Sequence, residues 1–201
     1  MTERISKVEQ ERQFAFAYNL AFETKRRKRN WNNIFCSWHL AASNGHIRSQ
    51  FYVGVCFDHG YGVDRDVRQA YYWYLKAAKS GHKESQYNIG FFFREGEVVK
   101  NNYKKAVHWF TLSASKGDTE AQRDLGFCYF YGLGIKKDEK KAAHWYRKSA
   151  KKNDSKSLYN LGHCYKHGEG LNQSNYWAKY YFKKAINLGH KEAKQELKDL
   201  Q

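Results

Sequence analysis

The chain has 201 residues, 41% hydrophobic and 17% aromatic, with no proline; so much apolar side chain can bury a core and excludes global disorder. A mean hydropathy of -0.91 and the lack of any long apolar run exclude a membrane-spanning helix. Lys and Arg number 36 against 20 Asp and Glu, and the resulting +16 favours acidic partners without choosing among protein, nucleic acid and lipid.

From the amino terminus, Met1 to Arg12 is a mixed-charge stretch holding Glu3, Glu9 and Glu11, unlike the basic, apolar, small-residue order of a secretory signal. The apolar run Phe14 to Phe22 leads straight into Lys25, Arg26, Arg27, Lys28 and Arg29. A cytoplasmic protein is expected. The basic run reads as a nuclear import signal in a cell that has a nucleus, as a phosphate contact, or as a solvated loop.

Beyond residue 44 the chain matches itself at an offset of 36. Gly54, Gly90, Gly126 and Gly162 form one ladder, and Gly60, Gly96, Gly132 and Gly168 form a second. Ala70, Ala106, Ala142 and Ala178 keep the same frame, as do Trp73, Trp109, Trp145 and Tyr181. A period of this length signals a solenoid whose units are stable only by stacking on their neighbours. Within residues 81–116, Ser85, Ile89, Gly90 and Phe93 share one side of a helical wheel, and Ala106, Trp109, Phe110 and Ala114 share one side of another. Gly60-Tyr61-Gly62, Gly132-Leu133-Gly134 and Gly168-Glu169-Gly170 supply turns between the two helices, while the second unit departs with Gly96-Glu97-Val98. A glycine inside the first helix costs about 1 kcal/mol relative to alanine, so Gly54 and its equivalents are expected where a neighbouring backbone leaves no room for a side chain.

The frame Ala121, Gln122, Leu125, Gly126, Tyr129, Gly132, Gly134, Ala142, Trp145 and Ala150 resembles the Sel-one-like repeat (SLR) family, relatives of the tetratricopeptide repeats. The resemblance implies an all-α, right-handed α-solenoid of stacked helix-turn-helix units, and a non-enzymatic scaffold or adaptor that gathers protein partners. Residues 45–80, 81–116, 117–152 and 153–188 are the expected units. Residues 1–44 read as a degenerate helix pair carrying the basic loop, with Tyr18 where a glycine belongs, and residues 189–201 as a capping helix.

No chemical constellation emerges. Cys36, Cys56, Cys128 and Cys164 show no CxxC spacing and read as reduced thiols. Cys128 and Cys164 occupy equivalent sites on helices about 8 to 10 Å apart, too far for a disulfide that needs α-carbons within about 7 Å. His163 and His167 stand four apart, but no HExxH carboxylate accompanies them and His59 recurs in the slot of His167. His108 and His144 share a slot with Tyr72 and Tyr180, and the Gly-x-Gly loops lack the Lys-Ser/Thr of a phosphate loop. Catalytic, cofactor and metal residues are therefore expected to be none.

The wheel that packs Ser49, Val53, Gly54 and Phe57 turns positions 51, 55 and 58 the other way. Through the repeats these positions yield an aromatic strip edged with cations, and the expected concave partner-binding residues are Phe51, Tyr87, Phe91, Arg94, Phe127, Phe130, Tyr159 and Lys166. Second-helix positions Arg68, Lys76, Lys79, Lys104, Lys140, Lys148, Lys151 and Lys184 should form a cationic, solvated back. The expected ligand is a protein segment or helix with acidic groups held by Arg94 and Lys166. The alternative is single-stranded RNA or DNA, stacked on the aromatics and held by Lys and Arg, although no nucleic-acid motif is present. No membrane insertion is expected.

Overall fold

The computed structural model describes residues 4–23, 25 and 29–200, so Arg26, Arg27 and Lys28 of the basic run lie outside the described residues. Among the described residues every regular element is helical: α1 (Lys7–Tyr18), a π-helical turn (Asn19–Glu23), α2 (Trp31–Ser43), α3 (Ile47–His59), α4 (Val67–Lys79) and α5 (Lys83–Glu95), then α6 (Tyr103–Ser115), α7 (Thr119–Tyr131), α8 (Glu139–Ala150), α9 (Ser155–His167), α10 (Asn175–Asn187) and α11 (Ala193–Lys198). The chain divides into two compact units, Met1–Lys100 with α1 to α5 and Asn101–Gln201 with α6 to α11.

The helices of the repeats begin with a side-chain cap, and the first helix of each ends at a glycine. The first helices α3, α5, α7 and α9 are capped by His46, His82, Asp118 and Asp154, whose side chains accept a backbone N–H three residues on. Asp66, Asn102, Asp138 and Ser174 do the same for α4, α6, α8 and α10. Such a cap contributes about 1 kcal/mol, and a histidine can serve because its unprotonated Nδ1 is an acceptor. The first helices end at Gly60, Gly96, Gly132 and Gly168 in the left-handed region, φ 72 to 79°. After Gly60, Gly132 and Gly168, the N–H groups of Tyr61, Leu133 and Glu169 return to the carbonyls of Cys56, Cys128 and Cys164.

The mid-helix glycines correct one expectation: what crowds Gly54, Gly126 and Gly162 most closely is an aromatic ring rather than a backbone. A β-carbon on Gly54 would stand 2.6 Å from the Tyr74 ring, one on Gly126 would stand 2.8 Å from Tyr146, and Gly162 faces Phe182 in the same way. Each ring occupies the space that a side chain would take on its partner helix, and Tyr74, Tyr146 and Phe182 are all at least 98% buried. Backbone contact belongs to the other glycine of the turn. At Gly62, Gly134 and Gly170 a β-carbon would collide with main-chain atoms of Trp31, Tyr103 and Glu139, the first residues of α2, α6 and α8. In the first, third and fourth repeats that glycine is the docking point on the helix pair before it.

A buried glutamine ladder makes a further joint. Gln50, Gln86 and Gln122 donate Nε2 to the carbonyls of Ala42, Ala78 and Ala114, at 3.3, 3.1 and 3.1 Å. These carbonyls sit in the last turns of α2, α4 and α6, where intrahelical donors have run out. The amino-terminal pair departs from this pattern. With Tyr18 in the glycine register, Trp38 stacks instead on Tyr52, centroids 4.5 Å apart and planes 17° apart, and Tyr18 packs among Phe14, Phe22 and Tyr52.

His39 sits on this first core, its ring edge-on to Trp73 at 5.3 Å, and burial lowers its pKa below the usual 6.5. The unfolded chain therefore binds the proton more readily than the folded one. The stability from a neutral His39 is fully present above 6.5 and is lost as pH falls toward the depressed value. Urea unfolding between pH 7.5 and 5.5 should show a midpoint that declines with acidity, and His39→Asn should flatten part of that decline; an unchanged slope would remove His39 as its source.

Candidate functional site

Four of the expected partner-binding residues lie on α3 and α5 of the first unit. Phe51 is half-buried and stacked on the capping His82, 4.7 Å between centroids; Tyr87 is also half-buried. Phe91 is 37% exposed, with the Arg94 guanidinium over its ring at 4.7 Å. The same guanidinium pairs with Glu95 at 2.7 Å.

The other four lie on α7 and α9 of the second unit. Phe127 is 41% exposed and packs on Tyr131, which is 58% exposed and went unselected by the helical wheel. Phe130 is half-buried. Tyr159 is half-buried and stacks on His190 at 4.3 Å, repeating the Phe51–His82 pair three periods on. At one of the two intervening equivalents, Arg123 bonds Asp154 at 3.3 Å and Asp124 at 2.9 Å. Lys166 is already in an ion pair, 2.8 Å from Glu196 of α11, and His163 meets the same carboxylate at 3.5 Å. Burial lowers the His163 pKa, with Glu196 opposing that shift.

The second unit holds a cavity of about 470 Å³ on this face. Its wall is aromatic: Phe127, Phe130, Tyr131, Tyr146 and Tyr159. Asn160, His163, His167 and Glu169 supply the polar lining, with the two imidazoles stacked 5.7 Å apart. Burial raises the Tyr146 pKa, so its hydroxyl is a donor at any physiological pH. Among the described residues no group of three or more His, Cys, Asp or Glu is arranged to hold a metal ion.

Cys56, Cys128 and Cys164 are buried and unbridged, and burial pushes the Cys56 and Cys164 thiols up to about 12, which makes them poor nucleophiles. The eight cations expected on the second helices are all exposed. Three of them lie over rings: Lys76 over Tyr72, Lys148 over Trp145 and Lys184 over Tyr180, at 4.7, 4.5 and 4.9 Å. The recurring slot of Tyr72, His108, His144 and Tyr180 packs edge-on against the next residue in every repeat. Of the basic run, Lys25 is exposed and Arg29 half-buried. No helix among the described residues is long and apolar enough to cross a membrane.

Comparison with known proteins agrees with this architecture. A Sel1 repeat model matches residues 47–82, 83–118, 119–154 and 155–190. The structure superposes on a protective antigen of uropathogenic Escherichia coli with an SLR fold, TM-score 0.87 and 28% identity, over 95% of this chain and 41% of that one. It superposes on a Sel1 repeat protein from Oxalobacter formigenes, TM-score 0.84 and 27% identity, over 96% and 77% of the two chains. Cysteine rich protein B of Helicobacter pylori aligns with 26% identity and TM-score 0.53, over 66% of this chain and 96% of that one. No curated protein sequence matches. With four consecutive repeats matched and the same stacked helix pairs in two solved relatives, the chain belongs to the Sel1-repeat family, an all-α solenoid class whose members generally serve as scaffolds for protein–protein interaction.

Proposed function

We propose that this protein is a non-enzymatic adaptor that binds a segment of another protein along the first-helix faces. The observation that carries the reading is that Phe91 and Phe127, one period apart, remain 37% and 41% exposed while the rings at the Gly54, Gly126 and Gly162 contacts are buried. Packing within the repeat does not need these two faces, and exposed aromatic side chains are the groups that dominate interface energies. The +16 charge speeds encounter with acidic partners.

Arg94 and Lys166 then act by exchange. Each already has a carboxylate, Glu95 and Glu196, so an acidic group of the partner must displace it, which adds selectivity more than affinity. Protein recovered from nuclease-treated extract should fall at least about ten-fold for a Phe91→Ala, Phe127→Ala double variant whose helical circular dichroism is unchanged. Undiminished recovery moves binding off this face. Recovery that disappears with nuclease, together with a steep salt dependence of RNA or DNA retention, would transfer the function to nucleic acid.

A further inference from the structure

Internal repetition supplies a template for the cavity in the second unit. In the first repeat the buried Tyr74 hydroxyl donates to Asp58 Oδ2 at 3.4 Å, with the Asn88 side chain also hydrogen-bonded to it. Two periods on, the tyrosine and the asparagine recur as Tyr146 and Asn160, but the acid is replaced by Phe130. Tyr146 is 98% buried, and its hydroxyl makes no hydrogen bond among the described residues. Tyr146, Phe130 and Asn160 all line the cavity of about 470 Å³. Because Tyr146 lines the cavity, a group that enters with an acceptor can bond this hydroxyl without competing against an internal partner.

We infer that this cavity is a subsite for the carboxylate of a partner's acidic side chain, which takes at Tyr146 and Asn160 the place that Asp58 holds at Tyr74 and Asn88. The aromatic wall of Phe127, Tyr131 and Tyr159 accommodates an apolar residue adjacent to the acid. Glu169 also lines the cavity and opposes an incoming anion, so its removal should strengthen binding. The inference deepens the adaptor reading by naming what one part of the face takes.

The probe is the blocked dipeptide N-acetyl-Phe-Glu-amide, titrated into the isotope-labelled full chain while the Asn160 side-chain amide and the His167 imidazole are followed by NMR. Saturable shifts at both are expected, with affinity at least about ten-fold above that of the Phe-Gln isostere. Tyr146→Phe should weaken binding about ten-fold without loss of fold, since phenylalanine fills this slot as Phe110 and Phe182. Phe130→Asp should close the site by restoring the internal acid, and Phe130→Leu should leave it open. Glu169→Gln should tighten the Glu dipeptide.

Equal binding of the Gln peptide, or weaker binding after Glu169→Gln, would overturn the carboxylate in favour of an amide. Glutarate binding as tightly as the dipeptide would overturn a partner side chain in favour of a free small acid, and no shifts at saturating dipeptide would overturn the subsite altogether. The titration uses no partner protein. A dipeptide that binds while the Phe91→Ala, Phe127→Ala variant still captures protein would sink the wider face and leave the subsite standing.

Discussion

Replacing Gly134 with alanine should lower the unfolding free energy of the second unit by about 2 to 5 kcal/mol. The residue sits at φ +69°, where a side chain costs about 1 to 2 kcal/mol, and its β-carbon would strike the main chain of Tyr103 and Lys104 at the start of α6. Backbone cannot rotate aside as a side chain does, so crowding adds about 1 to 3 kcal/mol. Gly132 is the internal control. It shares the positive φ, +72°, but its nearest neighbour is the Lys137 β-carbon at 3.3 Å, and Gly132→Ala should cost only about 1 to 2 kcal/mol, the share of the backbone conformation. Urea unfolding followed by circular dichroism compares the two. Equal losses would mean that backbone conformation alone governs this turn and that close docking on α6 contributes nothing.

Phe182→Ala should be the most damaging side-chain truncation in the second unit, at about 3 to 5 kcal/mol. The ring is fully buried, lies on Gly162, and packs against Tyr159 and His163 at 5.8 and 5.5 Å. Its removal opens a void that rigid helices on either side cannot close. Because the void lies directly over Gly162, Gly162→Val in the truncated background should recover about 1 kcal/mol by filling part of it, whereas the same valine beside an intact Phe182 should destabilise. The sign reversal is the decisive reading. If valine destabilises in both backgrounds, the ring and the glycine are not matched as described.

Helix phase was open to a reading of the chain alone because it is set by local spacing. Ser85, Ile89, Gly90 and Phe93 fall on one side of the wheel, and all four are buried in α5. The capping ladder at positions 46, 82, 118 and 154 is also written in the chain as His, His, Asp, Asp, but histidine is an uncommon cap and carries little signal by itself. Other contacts were closed to inspection. Lys166 lies 30 residues from Glu196, and nothing in the spacing announces that a basic groove position is already matched by an acid of α11.

What the sequence by itself determined is the repeat: a period of 36, two helices per unit, their turns, and the small residues that let them approach, because each follows from interactions within a few turns of one helix or one loop. Only the tertiary structure decided what occupies those approaches. It placed Tyr74, Tyr146 and Phe182 on the mid-helix glycines, reserved backbone contact for Gly62, Gly134 and Gly170, and brought Phe130 and Tyr146 to the wall of one cavity. Such pairings depend on the distance and rotation between helices, which one helix's periodicity does not contain.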